Sequence, residues 1–356
     1  MGDIVHGLPA AAYLKKNLPD LELSWLVEPA GAFLLQGNPA VDRVIVFPKK
    51  KWLQQLRTVS RLGATAAEAG DFIADLKKLE FDAAIDLQGL LKSSVLAVLS
   101  GAKLRFGFKG TREGADRLLT HKYDCGDYFG KQPHVIQHNL GLAAFACKAL
   151  QGLPSDTEGG SHSYIYDEPE FPLPPVPAES LEKAEKLLSV VRSQKRIIAL
   201  IPGTTWETKI WPEESWTELA ELCLSKTAGP LLMLGGPAEK AMNGRIAANF
   251  GELVLDLTGM TSISDLQAIY QMTDLVIGAD SGPVHLAAAV GKPKVAAIFG
   301  STPSGRNGPW GKQCASIGLS LECQPCFKKR CPLEIKTLAC LKELSPAQVF
   351  AELDFD

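Results

Sequence analysis

Short apolar runs alternate with helix-period segments along most of the chain, and this alternation restricts the possible folds more than any other feature. In the first half, residues 21–27, 43–47, 81–87 and 103–108 read as strands, with amphipathic stretches such as 8–18 and 71–79 between them. In the second half, strands are predicted at 196–201, 230–234, 254–257, 275–277 and 294–299, and helices at 212–224, 238–249, 263–271 and 282–289. Strands that alternate with helices form parallel sheets whose crossovers are the helices. Between the halves, residues 167–177 read Asp-Glu-Pro-Glu-Phe-Pro-Leu-Pro-Pro-Val-Pro, too poor in backbone donors for a helix or a central strand. The expectation is two α/β domains, 1–166 and 180–356, joined by a linker over 167–179. A chain of 356 residues is long enough for each to bury its own core. Such a pair leaves a cleft, with ligands beyond the carboxyl ends of the strands.

Composition excludes several classes. Apolar residues make up 46% and charged residues 22%, the balance of a folded globular protein rather than a disordered one. A net charge of -3 offers no global field for nucleic acid, so an anionic partner must meet a local cationic site. No apolar run approaches the roughly eighteen residues needed to cross a bilayer, and no charged-then-apolar leader opens the chain, so a cytoplasmic location is expected. Eight cysteines in that reducing setting do not imply a disulfide framework.

Three segments carry candidate chemistry at strand-to-helix turns. Pro202-Gly203-Thr204-Thr205-Trp206-Glu207-Thr208-Lys209 follows a predicted strand. Its small residues let backbone N–H groups approach a phosphate, and Lys209 adds a mobile positive charge. The competing reading is a loop of turn formers with its lysine in water. Gly278-Ala279-Asp280-Ser281-Gly282-Pro283-Val284-His285 comes next, with Ser281 placed to cap a helix and Pro283 suited to its first turn. Asp280 and His285 either line an anion site there or serve only the turn and the core. At the start, Asp3 precedes an apolar helical pattern; it reads equally as an N-cap or as a general base. The two phosphate-compatible turns in one domain favour a nucleotide site.

Taken together, these segments resemble the lipopolysaccharide heptosyltransferases of glycosyltransferase family 9. The similarity extends through Met-Gly-Asp-Ile-Val-His at 1–6, Asp86-Leu87-Gln88-Gly89-Leu90-Leu91-Lys92-Ser93, Gly107-Phe108-Lys109-Gly110-Thr111-Arg112-Glu113 and Phe299-Gly300-Ser301-Thr302. The second and third strings look most like heptosyltransferase I. The resemblance implies the GT-B fold, two Rossmann-like domains facing across a cleft. It also implies inverting transfer of heptose from ADP-heptose to a Kdo-bearing lipid A acceptor, with no cofactor required. Under it, Asp3 is the catalytic base. Thr204, Thr205 and Lys209 hold the diphosphate, with Lys209 offsetting the charge on departing ADP. Asp280, Ser281, Gly282 and His285 complete the nucleotide site, and Glu239 contacts the nucleoside. The acceptor is a lipid-anchored acidic oligosaccharide, so the enzyme is expected to work transiently at the cytoplasmic face of the inner membrane. Arg112 and Lys92 are its acceptor-binding candidates, and the basic run Lys49-Lys50-Lys51 with Arg57 and Arg61 is a further cationic candidate.

Two features depart from the pattern. Family members place a strand of about eight to ten residues before the Gly-Asp motif. Here Met1 sits directly on it. Either the start is assigned late, which is the expectation, or the chain lacks the central first strand of its first sheet, which would leave two neighbouring strands unpaired. Near the other end, Cys323, Cys326, Cys331 and Cys340 have the spacing C-x2-C-x4-C-x8-C, which four thiolates can use to hold a structural zinc ion. They are assigned no catalytic part. Other readings are a different GT-B sugar-nucleotide transferase or epimerase, and a non-catalytic nucleotide-sugar-binding protein. A Rossmann dehydrogenase is disfavoured, because no G-x-G-x-x-G follows a predicted strand.

Overall fold

The computed structural model describes residues 1–154, 168–189, 196–227, 229–335 and 337–355. It divides into two compact units, one of Met1–Val5 with Pro175–Asp356 and one of His6–Pro174. Asp167, at the start of the expected linker, lies outside the described residues; residues 168–177 form neither helix nor strand.

The strands are β1 (Ser24–Val27), β2 (Arg43–Val46), β3 (Ala83–Asp86), β4 (Leu104–Phe108), β5 (His121–Tyr123), β6 (Ile198–Ile201), β7 (Leu231–Met233), β8 (Val254–Asp256), β9 (Leu275–Ala279), β10 (Lys294–Ile298) and β11 (Cys314–Ile317). Every pairing among them is parallel. Sequence periodicity finds all but β5, a polar His-Lys-Tyr, and β11, a Cys-Ala-Ser-Ile run with no strong apolar pattern. It misses the helices Lys49–Gln55, Leu91–Leu99, Val135–Leu150 and Ala178–Leu188.

In the unit that contains the C-terminal half, six strands pair in the order β11-β10-β9-β6-β7-β8. The chain builds outward from β6 to β8, then returns to β6's other edge with β9, so the topology switches between β6 and β9. Both strands are buried along their whole length, which is why they read as continuous apolar runs rather than alternating ones. Trp211 and Trp216 anchor the apolar layer beside the sheet, edge to face at 5.2 Å and both fully buried. Gly278 permits the close seating of the following helix Gly282–Val290. A Cβ there would fall 2.5 Å from Val284 Cγ2 and 3.1 Å from the Ile201 carbonyl oxygen. Gly278→Ala is therefore expected to lower stability by about 1–3 kcal/mol through overpacking, read as a lower midpoint in urea. An unchanged midpoint would mean that the helix retreats freely.

In the His6–Pro174 unit the strands divide into two sheets. β1 pairs with β2, and β3-β4-β5 form a separate sheet. One apolar layer serves both: Ala10, Leu14, Ala143 and Cys147 pack with Leu21 and Leu23 before β1 and with Ile85 and Leu87 in and after β3. A Cβ on Gly7 would lie 2.9 Å from the Trp25 ring and 3.2 Å from Leu87 Cδ1, so the helix Gly2–Asn17 runs against both. Among the described residues no strand joins the facing edges of β1 and β3, and their side chains are mostly only half-buried. Backbone groups on such edges must turn to water or side chains.

Among the described residues, no helix is long and apolar enough to cross a membrane.

Candidate active site

The site is built at the carboxyl ends of β6 and β9, where the strand order reverses. In doubly wound sheets this crevice is where a ligand meets the most helix starts and loops. After β6 the chain runs through Pro202–Thr205 into a single 3-10 turn, Glu207–Lys209. That turn aims the Lys209 ammonium at Asp280, with Nζ 2.6 Å from Oδ2 and the side chains only 15% and 5% exposed. The Thr204 hydroxyl donates to the Asp280 carbonyl oxygen at 3.1 Å and ties the two loops together. Thr205 is exposed on the same loop.

Asp280 is the hub of the cluster. The Thr302 hydroxyl donates to its Oδ2 at 2.5 Å, and His285 Nε2 stands 3.6 Å from Oδ1. Burial pushes the Asp280 carboxyl up, but the hydrogen bond from His285 and the charge of Lys209 overcome this and bring it down to about 2. A carboxyl near 3.8 when unfolded and about 2 when folded adds its full stabilisation above pH ~4, and that contribution is lost as pH falls through about 2. It amounts to something on the order of 2 kcal/mol. Acid unfolding of the wild type should therefore steepen between pH ~4 and ~2, and Asp280→Asn should flatten that part of the curve. Identical acid limbs for the two proteins would remove the claim.

Ser281 stands at the N-cap of the helix Gly282–Val290 in extended backbone (φ -152°), with Pro283 in the first turn. As expected from sequence it occupies the cap position, but its side chain makes no cap hydrogen bond. Its Oγ is buried with no partner among the described residues. The first N–H groups of that helix have no intrahelical acceptor and carry the positive end of its dipole. A second helix start meets it. A Cβ on Gly282 would lie 3.2 Å from the Gly2 backbone nitrogen, and one on Gly2 would lie 3.1 Å from the His285 ring. The helix Gly2–Asn17 thus begins against the helix Gly282–Val290, and exposed Asp3 lies inside its first turn. The N-cap reading of Asp3 is corrected, since the helix is already under way at Gly2. Two helix N-termini, whose first N–H groups can receive an anion, thus meet beside the Lys209–Asp280 pair.

Glu239 closes one side. Its Oε2 accepts from the Gly236 N–H at 2.7 Å, and its side chain lies where a Cβ on Gly203 would be, 2.2 Å from Glu239 Cγ. It is half-buried against the Pro202–Thr205 loop rather than lying on a solvated helix face.

The His6–Pro174 unit holds the other candidates. Buried Asp86, at the end of β3, accepts from the Gln88 and Gly89 N–H groups and from the Ser93 and Ser94 hydroxyls. This fixes the start of the helix Leu91–Leu99, on which Lys92 is exposed. The Leu91 N–H donates to Glu113 Oε2 at 3.2 Å, so the segment beginning at Arg112 docks beside Lys92's helix. Arg112 itself is exposed, its guanidinium 4.3 Å from the centre of the Phe129 ring. In the basic run, Lys49 and Lys51 pair with Glu28 (3.5 Å) and Glu68 (2.6 Å), which fits a solvated, charge-balanced face.

Residues 70–336 match the family model described as glycosyltransferase family 9 (heptosyltransferase). The chain belongs to glycosyltransferase family 9. It is 28% identical to lipopolysaccharide heptosyltransferase 1 of Pseudomonas aeruginosa, covering 99% of this chain and 94% of that protein. It is 27% identical to its namesake from Escherichia coli K12, covering 88% of each. Among solved structures, E. coli ADP-heptose lps heptosyltransferase II matches with a TM-score of 0.72 at 17% identity, over 99% of this chain and 94% of that one. The E. coli heptosyltransferase WaaC with ADP matches with a TM-score of 0.70 at 24% identity, over 99% and 96%. These likenesses show the GT-B fold, with its two Rossmann-like units.

Sequence reasoning passed over several residues of this family 9 site. Ser301 and Thr302 belong to a string noted only for resemblance, yet Thr302 holds Asp280. The Thr208 hydroxyl donates to the Lys328 carbonyl oxygen at 2.5 Å and lies 2.9 Å from Ser301 Oγ. The available signal was hydroxyl residues in the loops after predicted strands, but their partners lie in other loops far along the chain. The cysteines expected to hold zinc form no disulfide, and among the described residues no three His, Cys, Asp or Glu side chains are grouped to hold a metal ion. Burial, together with the nearby Cys323, Cys326 and Cys331, pushes the Cys340 thiol up to about 11.

Proposed function

We propose that this family 9 chain transfers heptose from ADP-heptose, with inversion, to a Kdo-bearing lipid A acceptor during assembly of the lipopolysaccharide inner core. The observation that carries this reading is the meeting of Lys209, the Asp280 hub and two helix starts at the β6–β9 switch, with Asp3 in the first turn of one of those helices. Its support from relatives is the heptosyltransferase 1 likeness over nearly the whole chain.

In this mechanism Thr204, Thr205, Lys209 and the first N–H groups of the Gly282–Val290 helix bind the diphosphate, with Ser281 and Glu239 completing the nucleotide end. His285 and Asp280 hold Lys209 in place. The acceptor hydroxyl oxygen attacks the anomeric carbon from the face opposite the diphosphate. Its proton passes to the Asp3 carboxylate, the anomeric C–O bond breaks, and the electron pair leaves on the β-phosphate of ADP. Lys209 and the helix starts offset that charge where it grows. Lys92 and Arg112 meet the acidic groups of the acceptor. Because that acceptor is lipid-anchored, the enzyme acts at the cytoplasmic face of the inner membrane.

The test is to incubate the purified chain with ADP-heptose and a Kdo-bearing lipid A. Addition of one heptose by mass and release of ADP are the expected results. ADP binding without transfer would overturn this reaction in favour of a different GT-B enzyme or the non-catalytic reading, and absence of ADP binding would remove the nucleotide site.

A further inference from the structure

We propose that Lys329 is a second cation for the donor diphosphate, presented by the cysteine-bearing segment at the edge of the same site. The proposal rests on the nucleotide-site reading above. Asp280 is ionised and already neutralises Lys209 at 2.6 Å, so the pair has almost no net charge to offer a diphosphate. A ligand carrying about two negative charges needs a further cation if the loop is to hold it against water.

The structure supplies one. Lys329 Nζ lies 5.7 Å from the centre of the Trp206 ring, and Lys209 Nζ lies 4.8 Å from the same ring. Both ammonium groups therefore border the residue in the middle of the Thr204–Thr208 stretch. Among the described residues Lys329 has no carboxylate partner, and exposed Glu207 of the same loop pairs with neither lysine. An exposed lysine is usually free to wander, but the backbone that carries this one is pinned on two sides. The Lys328 carbonyl accepts from Thr208, the Phe327 N–H donates to the Ser301 carbonyl oxygen at 2.9 Å, and Gln324 Nε2 donates to the Gly300 carbonyl oxygen at 2.5 Å. The segment is thus docked on the two loops that hold Asp280 and Lys209, and the indole limits where the ammonium can go.

The experiment is calorimetric titration of the full chain and of Lys329→Ala, Lys329→Arg and Lys209→Ala with ADP and with adenosine, at two salt concentrations. Lys329→Ala is expected to weaken ADP about five- to twentyfold, with a shallower salt dependence and unchanged adenosine affinity. Lys329→Arg should stay within about threefold of wild type, because the charge is kept. Far-ultraviolet circular dichroism should be the same for all four proteins. If Lys209→Ala weakens ADP and Lys329→Ala does not, this inference fails while the site stands. If neither does, the nucleotide-site reading fails with it. Equal losses for Lys329→Ala and Lys329→Arg would also overturn it, since charge would not be the cause.

Discussion

Asp3→Ala is expected to lower turnover by about 10²–10⁴-fold while leaving ADP affinity within about twofold of wild type. The asymmetry follows from what Asp3 is proposed to touch. The nucleotide end is made by residues after β6 and β9, whereas Asp3 stands in the first turn of the helix Gly2–Asn17, against the start of the helix Gly282–Val290. A carboxylate there gains only about 0.3–1 kcal/mol from the helix dipole, so its loss leaves the fold nearly intact. Asp3→Asn retains size and polarity but cannot accept the proton, and it should fall as far as alanine does. Single-turnover rates with ADP-heptose, set beside calorimetric ADP affinities, check this. Parallel losses of rate and ADP binding would show instead that Asp3 shapes the nucleotide end.

Lys209→Ala should have the larger structural consequence. ADP affinity is expected to fall at least tenfold, because the ammonium nearest the proposed diphosphate is gone. Stability should fall as well, by about 3–5 kcal/mol, because Asp280 would remain buried without its ion partner. The two effects separate in a double variant. Lys209→Met with Asp280→Asn removes both charges, so most of the stability should return while ADP binding stays weak. Urea midpoints and ADP titrations on the same preparations read both quantities. Recovery of ADP binding in the double variant would show that the lysine serves only to neutralise Asp280.

Much of this was legible along the chain. Continuous apolar runs at β6, β9 and β10 marked buried strands. Residues at the strand-to-helix turns, Thr204, Lys209, Asp280 and Ser281, were legible because turn chemistry is local. The roles of Thr302 and Thr208 were not, because each acts on a residue far along the chain that tertiary structure brings beside it. Thr302 reaches Asp280 only because β10 pairs with β9.

The sequence alone therefore determined most of the strands, the parallel class of the sheets and which turns carry small, hydroxyl and charged residues, all set by interactions over a few neighbouring positions. Tertiary structure alone decided that Lys209 is spent on Asp280, that two helices begin against each other, and that the cysteine segment brings Lys329 to Trp206. Those outcomes depend on strand order and burial. Burial turns a separation in sequence into a hydrogen bond or ion pair strong enough to fix a charge, and no local pattern encodes which distant partner will be met.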